Sequence, residues 1–119
     1  MKKTLIILVL LFSSSVLAEI YSCSYNEFET TKIISFNRLT DSVFERCSEE
    51  RCDGGGYLLI YEDKDNLIFG NIILKEGKPS GGFQVVTIDK NMNLFTGARI
   101  NSPRSNLKNG IVSGKCIVN

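Results

Sequence analysis

Two cysteines, Cys47 and Cys52, stand with four residues between them in "ERCSEERCDGGGY", Glu45 to Tyr57, just ahead of Asp53 and three glycines. Thiols so placed could ligate a metal, exchange electrons as a redox pair, help cradle a phosphate, or clip a loop as a disulfide. A structural zinc needs four ligands, drawn mostly from cysteine and histidine. The chain has no histidine, so a zinc site would have to spend all four cysteines, Cys23, Cys47, Cys52 and Cys116. A thioredoxin-like pair has two intervening residues, whereas Ser48, Glu49, Glu50 and Arg51 intervene here. The two glutamates flanking the cysteines also disfavour a thiolate. Gly54, Gly55 and Gly56 lack the lysine and the following helix of a phosphate loop and run directly into the strand-like "YLLIY". A disulfide clip on a loop is therefore expected, with no metal and no cofactor.

The missing histidine also removes the Ser-His-Asp and Cys-His arrangements of nucleophilic hydrolases. Paired carboxylates remain, Glu49 with Glu50 and Asp63 with Asp65, but both pairs fall in predicted turns where water solvates them. Catalysis is not expected. Three classes compete: a protein-binding or inhibitory module, a small-ligand carrier or structural protein, and an enzyme. A carrier needs an open apolar cavity, whereas a small eight-stranded barrel usually fills its interior with side chains.

The compartment follows from the first residues, "MKKTLIILVLLFSSSVLAE": two lysines, an apolar run from Leu5 to Phe12, then serines and Val16-Leu17-Ala18. This is the layout of a secretory signal, and the apolar run is too short for a membrane span, which takes about 20 residues. Residues 1–18 are expected to be a signal cleaved after Ala18, and 19–119 a single exported, periplasmic or secreted, β domain without a membrane anchor. Removing Lys2 and Lys3 takes 14 basic residues to 12 against 13 acidic ones, a net charge near −1. Such a balance gives no general attraction to nucleic acid or anionic membranes. Within it the charge is uneven. Asp41 to Asp65 carries eight acids against three bases, and Lys90 onward carries five bases and no acid, which predicts two opposed sectors able to steer a charged partner.

Four cysteines in a small exported chain imply two disulfides, with three connectivities open. Neighbouring position favours Cys47 with Cys52, which leaves Cys23 to meet Cys116. In the chain-entropy view the long closure contributes about 4.7 kcal/mol and the clip about 2 kcal/mol.

The elements that must position these residues are β-strands. No long segment has helical periodicity, and short β-rich runs alternate with turn residues. The expected strands are Ile20 to Tyr25, Lys32 to Asn37, Ser42 to Cys47, Tyr57 to Glu62, Leu67 to Lys75, Gly82 to Asp89, Leu94 to Asn101 and Ile111 to Ile117. Between them, "EDKDN", "EGKPSGG", "DKNMN" and "NG" supply turn residues, and short connections imply antiparallel neighbours. In one strand Phe83, Val85 and Thr87 share a face while Val86 and Ile88 share the other, so both faces are partly apolar. The expectation is an all-β, disulfide-stabilised antiparallel meander of about eight strands closed into a barrel, with a sandwich as the alternative.

A cysteine soon after the mature start ("YSC", Cys23), another near the end ("SGKC", Cys116) and a small all-β chain behind a signal together resemble the bacterial periplasmic inhibitors of C-type lysozyme. That resemblance implies a small barrel that pushes a serine-bearing loop into the lysozyme cleft through a Ser-Gly-x-x-aromatic motif. "PSGGFQ" supplies Ser80 and Gly81, but Phe83 comes one position early and Gln84 stands where the aromatic is expected. The Cys47 and Cys52 clip and the longer chain are further departures. The implied partner is a cationic protein, a lysozyme, and the candidate contact residues are Ser80, Gly81 and Phe83, joined by Glu49 and Glu50 from the acidic stretch.

Overall fold

Period-two alternation, with β-branched and aromatic residues on the inward face, gives eight strands. The computed structural model describes residues 19–53 and 56–118; the expected signal, residues 1–18, lies outside the described residues. In chain order the strands are β1 (Ile20–Glu27), β2 (Thr30–Thr40), β3 (Val43–Cys47), β4 (Tyr57–Glu62), β5 (Asn66–Lys75), β6 (Lys78–Asp89), β7 (Leu94–Ile100) and β8 (Gly110–Val118). Each pairs antiparallel with the next, and β8 returns to β1, so the meander is a closed barrel and not a sandwich.

Three strands, β1, β2 and β6, run further at their hairpin ends than the sequence predicts, for one reason. Phe28 and Glu29 both have positive φ (49° and 65°), as do Glu76 and Gly77 (54° and 78°). Two consecutive left-handed residues make the tight hairpin turn whose twist matches the flanking strands. β1 and β2 therefore pair out to Glu27 and Thr30, and β5 and β6 out to Lys75 and Lys78. The stretch "EGKPSGG", expected as a loop, is a two-residue turn followed by the start of β6. Pro79 is accommodated there because β7 does not pair with β6 until Phe83, which leaves that side of the arm without a ladder partner.

The interior is aromatic at one level and sealed at one end. Phe44 and Phe69 stack with centroids 4.3 Å apart, and Phe36 meets Phe69 edge-on at 5.1 Å, around a core that includes Tyr21, Leu67, Ile88 and Phe95. Such pairs add about 0.5–1.5 kcal/mol each beyond their buried area. Cys23 and Cys116 are direct cross-strand partners on β1 and β8, and their disulfide fastens the last seam of the barrel from inside. Cys47 and Cys52 form the second disulfide. The pairing favoured from sequence position is the one present, and no described cysteine is free. Two disulfides place the folded chain in an oxidising, exported environment.

In a meander successive turns alternate between the two ends. One end carries the turns at 41–42, 63–65 and 90–93, and it is closed by an ion cluster. The Arg38 guanidinium donates to Glu62 through both terminal nitrogens (2.9 and 2.8 Å) and to Glu19 (3.0 Å), and it lies 5.1 Å over the Phe44 ring. Lys90 completes the cluster at 2.8 Å from Glu62. The opposite end carries the Phe28-Glu29 turn, the clip loop, the Glu76-Gly77 arm and the long β7–β8 loop.

Candidate functional site

The open end exists because the wall between β3 and β4 is barely paired: Val43 opposes Leu58 and Phe44 opposes Tyr57. Beyond Phe44 the two strands have no further paired residues, and the clip loop follows β3. The Cys47 and Cys52 disulfide, the Ser48 N–H to Arg51 carbonyl bond (2.9 Å) and the Asp53 N–H to Arg46 carbonyl bond (3.0 Å) hold that loop as a miniature hairpin. Asp53 also accepts the Arg46 backbone N–H at 3.0 Å. Glu45, Cys47 and Cys52 do present ligand atoms within 4.8 Å of one another. The two sulfurs are bonded to each other, so this trio offers a cation a single carboxylate. The clip holds a loop, as expected of it.

All five candidate contact residues fall at this end. Glu49 and Glu50 are exposed on the clip loop, and Phe83 is exposed on the outer face of β6. Ser80 differs from expectation. It lies in β6, half-buried, and its hydroxyl donates to the Ile73 carbonyl oxygen at 2.8 Å across the arm. Gly81, with φ of 90°, brings the arm against the β7–β8 loop; a side chain there would meet Ser102 at 3.1 Å and would be strained. Gly82 is as tightly held, since a Cβ would approach the Ile100 carbonyl at 2.6 Å. The arm is thus a docked two-stranded projection.

Two spaces open here. Between the arm and the β7–β8 loop is a cleft of about 550 Å³ lined by Ser80, Arg99, Arg104, Lys75 and Leu107 among others. Inside the barrel mouth is a cavity of about 220 Å³ walled by Tyr25, Phe36, Tyr57 and Phe95, with Arg46, Gln84 and Arg99 at its polar side. Arg99 borders both. Burial pushes the Tyr57 phenol up, opposed by the positive charges of Arg46 and Arg99.

The predicted charge sectors do not form. Because consecutive turns lie at opposite ends, Asp41, Glu62, Asp63 and Asp65 collect at the sealed end and Glu49, Glu50 and Asp53 at the open one. Glu62 is spent on Arg38 and Lys90. Asp63 accepts the backbone N–H groups of Asp65 and Asn66 (2.8 and 2.7 Å), which holds its carboxyl below the usual range and makes it a turn residue. Lys90 joins the sealed end, whereas Arg99, Arg104 and Lys108 flank the open one.

Sequence reasoning missed three residues of this end. Arg46 and Arg99 look like ordinary strand-surface charges until closure turns them toward the mouth. Phe28 is 93% exposed at a left-handed position, an arrangement uncommon for a bulky side chain. The available signal was "NEFET", an aromatic with no glycine or proline between two β-rich runs.

No family model matches this chain, and neither a curated protein nor a solved structure matches it.

Proposed function

We propose that this chain is an exported binding module, not an enzyme, that engages a protein partner through the open end of its barrel, with a C-type lysozyme as the first partner to test. The observation that carries this is the convergence there of a projecting arm bearing Ser80 and Gly81, an acidic clip loop bearing Glu49 and Glu50, and the exposed aromatics Phe83 and Phe28. Exposed aromatic anchors with a polar surround are what protein interfaces use for affinity. The charge is arranged in two parts. Glu49 and Glu50 suit the general surface of a cationic protein, while Arg99, Arg104 and Lys75 beside the arm suit a cleft that works through paired carboxylates, as glycoside hydrolases do. In this reading residues 1–18 direct export to the periplasm and are removed after Ala18.

The test is inhibition of lysozyme by excess mature protein, with association and dissociation followed as salt rises. Steering by exposed charge predicts slower association with little change in dissociation, because screening shortens to about 8 Å at physiological ionic strength. Ser80→Ala and the double change Glu49→Lys, Glu50→Lys should each weaken the complex while leaving the barrel folded. Absence of both inhibition and binding removes lysozyme as the partner. Amino-terminal sequencing of the exported form should begin at Glu19.

A further inference from the structure

The barrel mouth departs from a filled interior in a specific way. On the inner face of β7, Gly97 stands level with Val86 of β6 and Val112 of β8, where an alternating barrel strand would carry a large side chain. No close approach of backbone requires this glycine. A Cβ at Gly97 would meet Val112 Cγ2 at 3.5 Å and Phe95 Cε2 at 4.0 Å, which is ordinary contact. Gly114 on the neighbouring strand is the contrast, because a Cβ there would collide with the Ser24 carbonyl oxygen. Gly97 thus leaves volume that the fold could have filled, and the cavity of about 220 Å³ lies against it. A glycine inside a strand marks a bulge or a close approach by another group, and no bulge breaks the β6–β7 or β7–β8 ladders here.

The walls specify what would enter. The inner part is apolar and aromatic, built by Phe36, Phe95, Ile34, Val86 and the ring faces of Tyr25 and Tyr57. One register step outward sits a polar collar: Gln84 opposes Arg99 across β6 and β7 and donates to Asn71 at 3.4 Å, and Arg46 faces them from β3. Neither Arg46 nor Arg99 makes an ion pair with any described residue. Arg99 is oriented by donation from Nε to Asn101 at 3.1 Å, which leaves both terminal nitrogens available. Asp53 lies beside Arg46 in the clip loop, but its Oδ1 is taken by the Arg46 backbone N–H, and it does not line the cavity.

We propose that the barrel mouth is a binding site for a small carboxylate with a flat apolar body, of the size of benzoate, whose ring enters the aromatic cup and whose carboxylate is held by Arg46 and Arg99. An apolar protein cavity of about 150 Å³ is known to take a benzene ring, and guanidinium groups bind carboxylates through paired charge-assisted hydrogen bonds. This site shares only Arg99 with the protein-docking proposal; Arg46, Gly97 and the aromatic cup line the mouth and not the cleft beside the arm, so the Arg46 and Gly97 variants test it separately.

The test uses the folded, disulfide-bonded mature chain titrated with benzoate and, separately, with neutral benzamide, observed by the amide and aromatic NMR signals of the mouth residues. Expected are saturable shifts centred on Tyr57, Phe95 and Gly97, with benzoate bound about tenfold more tightly than benzamide. Gly97→Leu should fill the cup and abolish saturation by both probes. Arg99→Gln and Arg46→Gln should each remove most of the preference for benzoate while leaving benzamide unchanged. Should Gly97→Leu fail to fold, the two arginine variants still decide the matter. Unsaturable shifts up to about 10 mM benzoate, equal affinity for the two probes, or full benzoate binding by a folded Gly97→Leu protein would overturn the proposal.

Discussion

Glu62 offers the sharpest check on how the sealed end is held. Its two carboxylate oxygens accept from Arg38 Nη1 and Nη2 (2.9 and 2.8 Å) and from Lys90 Nζ (2.8 Å). The Arg38 hydrogen bonds, outweighing the opposing effect of burial, bring its pKa from 4.5 down to about 2. Linkage converts such a depression into at most about 3 kcal/mol of stability. The side chain is 26% exposed, so water screens part of this, and about 2 kcal/mol is expected. The sign is that of a depressed carboxyl: its contribution is complete above the ordinary value and is lost as pH falls from 4.5 through about 2. Glu62→Gln should therefore lower stability at neutral pH by about 2 kcal/mol, or roughly 10 °C in Tm. It leaves Arg38 over Phe44 with Glu19 as its remaining carboxylate. Urea unfolding of both proteins across the acid range measures this directly, and the two curves should converge as pH approaches about 2. A Glu62→Gln protein within about 0.5 kcal/mol of the parent at neutral pH, or a gap that persists undiminished in acid, would refute the reasoning.

The two disulfides should differ in weight. Cys23 and Cys116 are separated by 93 positions, so replacing both with alanine should cost about 4.7 kcal/mol, against about 2 kcal/mol for Cys47 and Cys52, separated by 5. Denaturant unfolding of the two double variants checks the order, and equal losses would contradict it. Phe28→Asn should raise stability by about 1 kcal/mol, since asparagine tolerates the left-handed backbone better, while weakening capture of a protein partner. Parallel melting and binding measurements separate the two effects. Gly114→Ala should destabilise by roughly 3 kcal/mol or more because the new methyl meets the Ser24 carbonyl oxygen at the β1–β8 seam, and hydrogen exchange should show that seam opening first.

Strand count and type were legible because they depend on local alternation. All eight expected runs are strands, and Tyr57–Glu62 has the bounds read from sequence. Chain closure was legible too, since a meander with apolar residues on both faces must curl. Cysteine position favoured the pairing that is present, because a neighbour pair leaves one long partner pair. Hairpin ends were less legible: the turn at Phe28 and Glu29 uses no glycine, and the one at Glu76 and Gly77 sits ahead of a proline that argued for a loop.

Sequence by itself determined the oxidised four-cysteine framework, the absence of histidine chemistry, and an antiparallel β fold, because composition and period-two patterning are properties of the chain taken locally. Tertiary structure decided where the charges lie and which of them are spent. Glu62 reads as surface acid, yet Arg38 and Lys90 neutralise it. Arg46 and Arg99 are 53 positions apart, yet they line one mouth. The physical reason is closure: a meander sends consecutive turns to opposite ends and brings distant strands around one axis. Electrostatic partners are therefore set by register and barrel geometry and not by nearness along the chain.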